Sequence, residues 1–201
     1  MLRRIVFGIG AAAAAAALAA TPASAAATSY SGEATAVRAS VFGVNVTLAD
    51  TGPLPSSGGS QTASLIGASV PGVVTAGVLT ASTTGSGDTS TSSSSLADVN
   101  LLAGLITASV VQSHATASCQ GATAQSSGSS NLVNLVVAGQ PLVVVGSPTI
   151  TIPALGLTVA VNEQTSSTSG SHGDETVNAI HVYGPGVDIA VASSHADIDC
   201  A

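Results

Sequence analysis

The chain has 201 residues and a formal net charge of −7, with three basic residues, ten acidic ones and 2% aromatics. So few cations exclude a nucleic-acid interface or an anionic membrane surface, since both need Lys or Arg to neutralise phosphate. The scarcity of rings, with no Trp, lowers the weight of a sugar-stacking role and leaves the core to Val, Leu, Ile and Ala, which favours a thin, strand-rich architecture.

The first 25 residues have the layout of a secretion signal. Arg3 and Arg4 are followed by the apolar Ile5–Ala20 and the small-residue site Ala23-Ser24-Ala25. Cleavage there leaves residues 26–201 as a single β-rich extracellular domain, with Arg38 alone against ten carboxylates and a charge of −9. Gly, Ser, Thr or Pro interrupts every later apolar run, so no membrane span is expected after cleavage.

The remaining chain alternates β-branched apolar runs with Ser/Thr/Gly clusters, the pattern of an all-β fold. Val37, Ala39 and Val41 share one strand face, and Val44, Val46 and Leu48 share another in the opposite parity. Phe42-Gly43 therefore marks a bulge or tight turn. Thr51–Gly59, with two Pro and three Gly, reads as a loop. Val73–Thr84 and Val99–Thr107 read as strands, and the Ser-rich Gly85–Ser95 between them as a mobile loop or irregular edge. Gln125–Ser130 and Gln164–Gly173 read as similar punctuation. Leu132–Val137, Leu142–Val145, Thr149–Ile152 and Leu155–Val161 supply four more strands. Val177–Tyr183 and Val187–Ser193 flank Gly184-Pro-Gly186 as a hairpin. About ten strands and no helix predict an antiparallel sandwich or barrel. A β-solenoid is the alternative, although no fixed short period is present.

Val99–Cys119 and Ile180–Cys200 end alike, in Ser-His-Ala followed by Cys. Five of 21 aligned positions are identical, which a duplicated hairpin or the Val/Ser/Ala-rich composition explains. Cys119 and Cys200, the only cysteines, are expected to form a disulfide in an exported protein. A zinc site made from them with His114 and His195 is disfavoured. Five positions separate His from Cys in each copy, about 17 Å apart along a straight strand and on opposite faces. His114 and His195 are expected at strand ends, bonded locally or exposed, and His181 facing solvent. His172-Gly173-Asp174-Glu175 reads as a compact acidic turn, and its Asp174 and Glu175, with Asp197 and Asp199 on one face of the last strand, are the calcium candidates. Solvated acidic loops are the default, so no metal or cofactor is assigned. No nucleophile elbow, metalloprotease helix or phosphate loop is present, so catalysis is not expected. Asn45-Val46-Thr47 is a glycosylation sequon, but inside a strand.

Asn131–Leu142, Ile150-Thr-Ile-Pro153, Val161-Asn-Glu-Gln164, Thr176–Val182 and Ser194–Ile198 occur in an order that resembles the choice-of-anchor P family of exported proteins from high-G+C Gram-positive bacteria. The resemblance is densest from Asn131 to Ile198. It implies an extracellular or surface β-domain without established activity, often followed by a C-terminal anchor. Ala201 follows Cys200 with no sorting motif or apolar tail, so release or non-covalent retention is expected. The function expected is a secreted or cell-envelope-associated β-domain with a structural or interaction role, its partner an envelope or extracellular protein or polymer. The alternative is an extracellular calcium- or small-ligand-binding module.

Overall fold

The computed structural model describes residues 27–201; the expected signal segment lies outside them. Thirteen strands form two antiparallel sheets that pack face to face and do not close. The strands are β1 (Ser29–Val41), β2 (Val44–Asp50), β3 (Gly59–Val70), β4 (Val74–Ser86), β5 (Thr89–Leu101), β6 (Ile106–Gln120) and β7 (Thr123–Val133). They continue with β8 (Val136–Val137), β9 (Gln140–Pro141), β10 (Thr149–Ile152), β11 (Leu157–Ser169), β12 (His172–Gly184) and β13 (Val187–Asp199). One sheet runs β10-β11-β12-β13-β1-β2. The other runs β3-β4-β5-β6, after which β7 pairs with the C-terminal part of β6, and β8, followed by β9, with its start. The all-β sandwich is as expected, and barrel and solenoid fall away.

Local chemistry accounts for the turns. Phe42 (φ 48°) and Gly43 (φ 85°) make a two-residue turn between Val41 and Val44. Positive φ at both positions is what a tightly twisted hairpin requires. Pro185-Gly186 closes the β12–β13 hairpin as expected.

Three expected loops are strand. The Ser-rich segment holds only the Gly87-Asp88 turn; from Thr89 it is β5, inside the sheet. Gln125–Ser130 lies in β7, and Gln164–Gly173 contains the end of β11 and the start of β12. Gly59–Val70, not anticipated as a strand, is β3. Conversely Leu142–Val145 forms no strand, and Val143 and Val145 are 86% and 80% exposed.

Hydrophobic periodicity failed in β5 because its inner face is polar. Ser90, Ser92 and Ser94 are all buried. The Ser92 and Thr83 hydroxyls bond to each other at 2.8 Å, Ser94 Oγ donates to Thr80 O at 3.4 Å, and Ser90 Oγ to Ser31 O at 3.3 Å. With these partners made, burial leaves no orphan polar group, and small side chains let the sheets approach. At Gly32 of β1 a Cβ would lie 2.7 Å from Thr83 Oγ1, so only glycine fits.

A line of left-handed residues crosses each sheet on alternate strands. In one it passes through Gly67, Asp98 and Asn134, and in the other through Asn162, Ala192 and Ala49. The side-chain parity of the strands changes there. On β13, Val187, Ile189 and Val191 point inward before the line, and Ala192, Ser194, Ala196 and Ile198 after it. The interior is therefore divided. A large cluster contains Leu79, Leu96, Leu101, Ile106, Val159, Ile180 and Ile189. A small one contains Ala115, Ala117, Ala124, Val177, Ala196 and Ile198, with the disulfide against it.

Cys119 and Cys200 form the disulfide, with Cα atoms 5.6 Å apart. It joins β6 of one sheet to β13 of the other, where Ser113 and Ser194 also meet at 2.6 Å. Both pairs are 81 residues apart. The β5–β6 and β12–β13 hairpins thus hold equivalent places on facing sheets, and β3-β4-β5-β6-β7 repeats the strand order of β10-β11-β12-β13-β1.

Candidate functional site

The two outer faces are chemically unlike. On the six-stranded sheet stand Glu33, Arg38, Asp50, Glu163, Asp174, Asp188, Asp197 and Asp199, seven of the ten carboxylates, with His172, His181 and His195. Arg38 is paired with Glu33 and, at 3.7 Å, with Asp50. His181 lies between Glu163 (2.8 Å) and Asp188 (3.3 Å), with its ring 5.0 Å from that of Tyr183. It stands on the outer face opposite in parity to Ile180 and Val182, as expected, although carboxylates cover much of it.

The outer face of the seven-stranded sheet carries hydroxyl and amide side chains in register across five strands. One row reads Thr62, Ser82, Ser93, His114, Ser129; the next reads Ser64, Thr80, Ser95, Gln112, Asn131. Antiparallel geometry sets neighbours about 4.8 Å apart across the sheet and rows about 7 Å apart along it. Cross-strand bonds hold the side chains in place: Ser82 to Ser93 (2.9 Å), Gln112 Nε2 to Ser95 Oγ (3.3 Å) and Asn131 Nδ2 to Gln112 Oε1 (3.1 Å). The rows line a shallow depression of about 570 Å³ in which His114 is the one ionisable side chain. Its Nε2 lies 3.0 Å from Thr116 Oγ1. His114 is bonded locally as expected, but in the middle of β6. An apolar row, Ile66, Val78, Ala97, Val110 and Val133, borders the hydroxyls.

The calcium candidates separate. The expected acidic turn is strand: Asp174 and Glu175 are consecutive residues of β12 and point to opposite faces. Glu175 goes inward, 2% exposed, beneath Gly128 of the facing β7. Burial raises its pKa above the ordinary carboxylate value; the Ser126 hydroxyl opposes the shift, and Asp174 adds to it. Asp174, Asp197 and Asp199 remain together outside with His172, which the expected acidic turn already contained, and are joined by His195, which sequence reasoning had not grouped with them. The register explains why: His172 is opposite Asp199, Asp174 opposite Asp197, and Thr176 opposite His195. His195 Nδ1 is 3.4 Å from Asp174 and 3.0 Å from Thr176 Oγ1, and His172 Nδ1 is 3.1 Å from Asp199 and 3.9 Å from Asp197. Burial, with Asp174 and Asp199 adding to it, raises the Asp197 pKa against the pull of His172 and His195. Donor atoms of Asp174, His195 and Asp197 lie within 4.8 Å of one another, as do those of His172, Asp197 and Asp199. This is an imidazole–carboxylate set rather than the six to eight oxygens calcium takes. The pairing of both cysteines in the disulfide removes the cysteine–histidine zinc arrangement.

Comparison with known protein families, curated proteins and solved structures finds no match to this chain. Among the described residues, no helix is long and apolar enough to cross a membrane.

Proposed function

We propose that the chain is a secreted or cell-envelope-associated β-domain with a structural or interaction role and no catalytic activity, related to the choice-of-anchor P proteins it resembles. Contact with its partner, an envelope or extracellular protein or polymer, is through the hydroxyl rows of the seven-stranded sheet. The observation that carries this reading is the segregation of charge. Seven carboxylates collect on one face, while the other presents ordered, nearly uncharged hydroxyls beside an apolar row. Such a face is cheap to dehydrate against an uncharged polymer or protein, because no ion loses its hydration shell. The acidic face keeps the bound molecule solvated. The disulfide supports export, because such bonds persist in oxidising compartments.

The test is co-sedimentation of the purified chain with isolated cell envelopes and with insoluble extracellular polymer. Ser93→Glu/Ser95→Glu places two charges in the rows and should weaken retention at least about tenfold. Asp188→Asn on the opposite face should leave it unchanged. Retention indifferent to the two glutamates would overturn the assignment of this face.

A further inference from the structure

A second site lies on the opposite face, independent of the hydroxyl rows. We propose that Asp174, His195 and Asp197 bind one divalent transition-metal ion, of the class of zinc, with the fourth position open to water or an external ligand.

One donor pair already has the spacing of the ion, and the third donor is within reach of it. Ligands at about 2.0–2.2 Å in a tetrahedron hold neighbouring donors about 3.3–3.6 Å apart. His195 Nδ1 and Asp174 Oδ2 are 3.4 Å apart, and the Asp197 carboxylate lies inside the same 4.8 Å group. The mixed donor set suits zinc, copper or nickel more than calcium or magnesium, whose ligands are oxygen.

Electrostatics points the same way. Asp174, Asp197 and Asp199 converge on adjacent strands, and Arg38, the one permanent cation among the described residues, is engaged by Glu33 and Asp50. A dication in the triad neutralises like charges that otherwise repel. The ligands also stand on a stiff support. They lie on β12 and β13, interior strands of the six-stranded sheet, and β13 runs into the cysteine that ties it to β6. Their side chains are 20–32% exposed, so little rotamer freedom is lost on binding. The overlapping His172, Asp197, Asp199 group is looser, with His172 41% and Asp199 57% exposed, and does not hold the ion. The hydrogen bond between Thr176 Oγ1 and His195 Nδ1 gives way to the metal.

Isothermal titration of the disulfide-intact chain with zinc at neutral pH tests this. One equivalent should bind with micromolar affinity, and calcium at least about tenfold more weakly. His195→Ala and Asp197→Asn should each weaken zinc binding at least about tenfold, the scale on which even supporting residues of metal sites act. His172→Ala should change it less than threefold, and His114→Ala on the other sheet not at all. Circular dichroism verifies each fold, and Asp174→Asn replaces any variant that fails it. Absence of zinc binding below millimolar concentration, calcium binding as tight as zinc, or a dominant effect of His172 would each overturn the proposal.

Discussion

Removing the Cys119–Cys200 bond should cost this protein about as much as truncating a large side chain in its main core. The bond closes a loop with a sequence separation of 81 residues. The chain-entropy relation for a loop of that size gives about 15 cal/mol/K, or about 4.5 kcal/mol at 25 °C, an upper figure. At about 2.1 cal/mol/K per residue, some 175 ordered residues have an unfolding entropy near 0.37 kcal/mol/K, so the melting temperature should fall by about 12 °C. The structure adds a local reason. The bond packs on the small cluster, four of whose six buried members are alanines, so this end of the sandwich has little other apolar cohesion. The assay is calorimetry of the wild type and of Cys119→Ala/Cys200→Ala, with free thiols in reduced wild type verified by mass. A fall of less than about 3 °C in both would refute the argument. It would mean that Ser113–Ser194 and the main core hold β6 against β13 without the covalent tie.

Glu175→Gln should stabilise the protein at neutral pH. The native state holds the Glu175 proton more tightly than the unfolded chain, so its contribution to stability falls as pH rises from the ordinary carboxylate value through the raised one. Denaturant titrations should find the variant equal to wild type near pH 4 and more stable at pH 8; an identical slope for both would count against it. Gly128→Ala should destabilise by about 1–3 kcal/mol, because its Cβ would lie 2.5 Å from Glu175 Oε1 and against Val177. A neutral result in chemical denaturation would show that β7 can move outward. Ser113→Ala should cost about 1–3 kcal/mol by leaving the buried Ser194 hydroxyl without its partner, whereas Ser113→Ala/Ser194→Ala should cost less than the two single changes together. Additive losses in a double-mutant cycle would deny their coupling.

What the sequence determined by itself is what chemistry settles locally. Two cysteines in matching contexts specified their own pairing, and Gly43 and Gly186 marked turns, because glycine adopts their positive φ without strain. The alternation of Val, Ile and Ala in β1, β12 and β13 marked strands, because their inner positions are apolar. Tertiary structure decided whatever depended on a partner distant in sequence. Ser90, Ser92 and Ser94 carry no hydrophobic signal, and they become strand because β4 and β6 saturate their backbone while the Thr83 hydroxyl and the carbonyls of Ser31 and Thr80 satisfy their side chains. Asp174 and Glu175 look equivalent in the chain, yet the pleat sends one to solvent and the other beneath Gly128. His195 joins Asp174 only through the antiparallel register of β12 and β13, 21 positions apart in sequence. Composition shows how much charge the chain carries. The pairing of its strands decides that one face holds most of that charge and the other almost none.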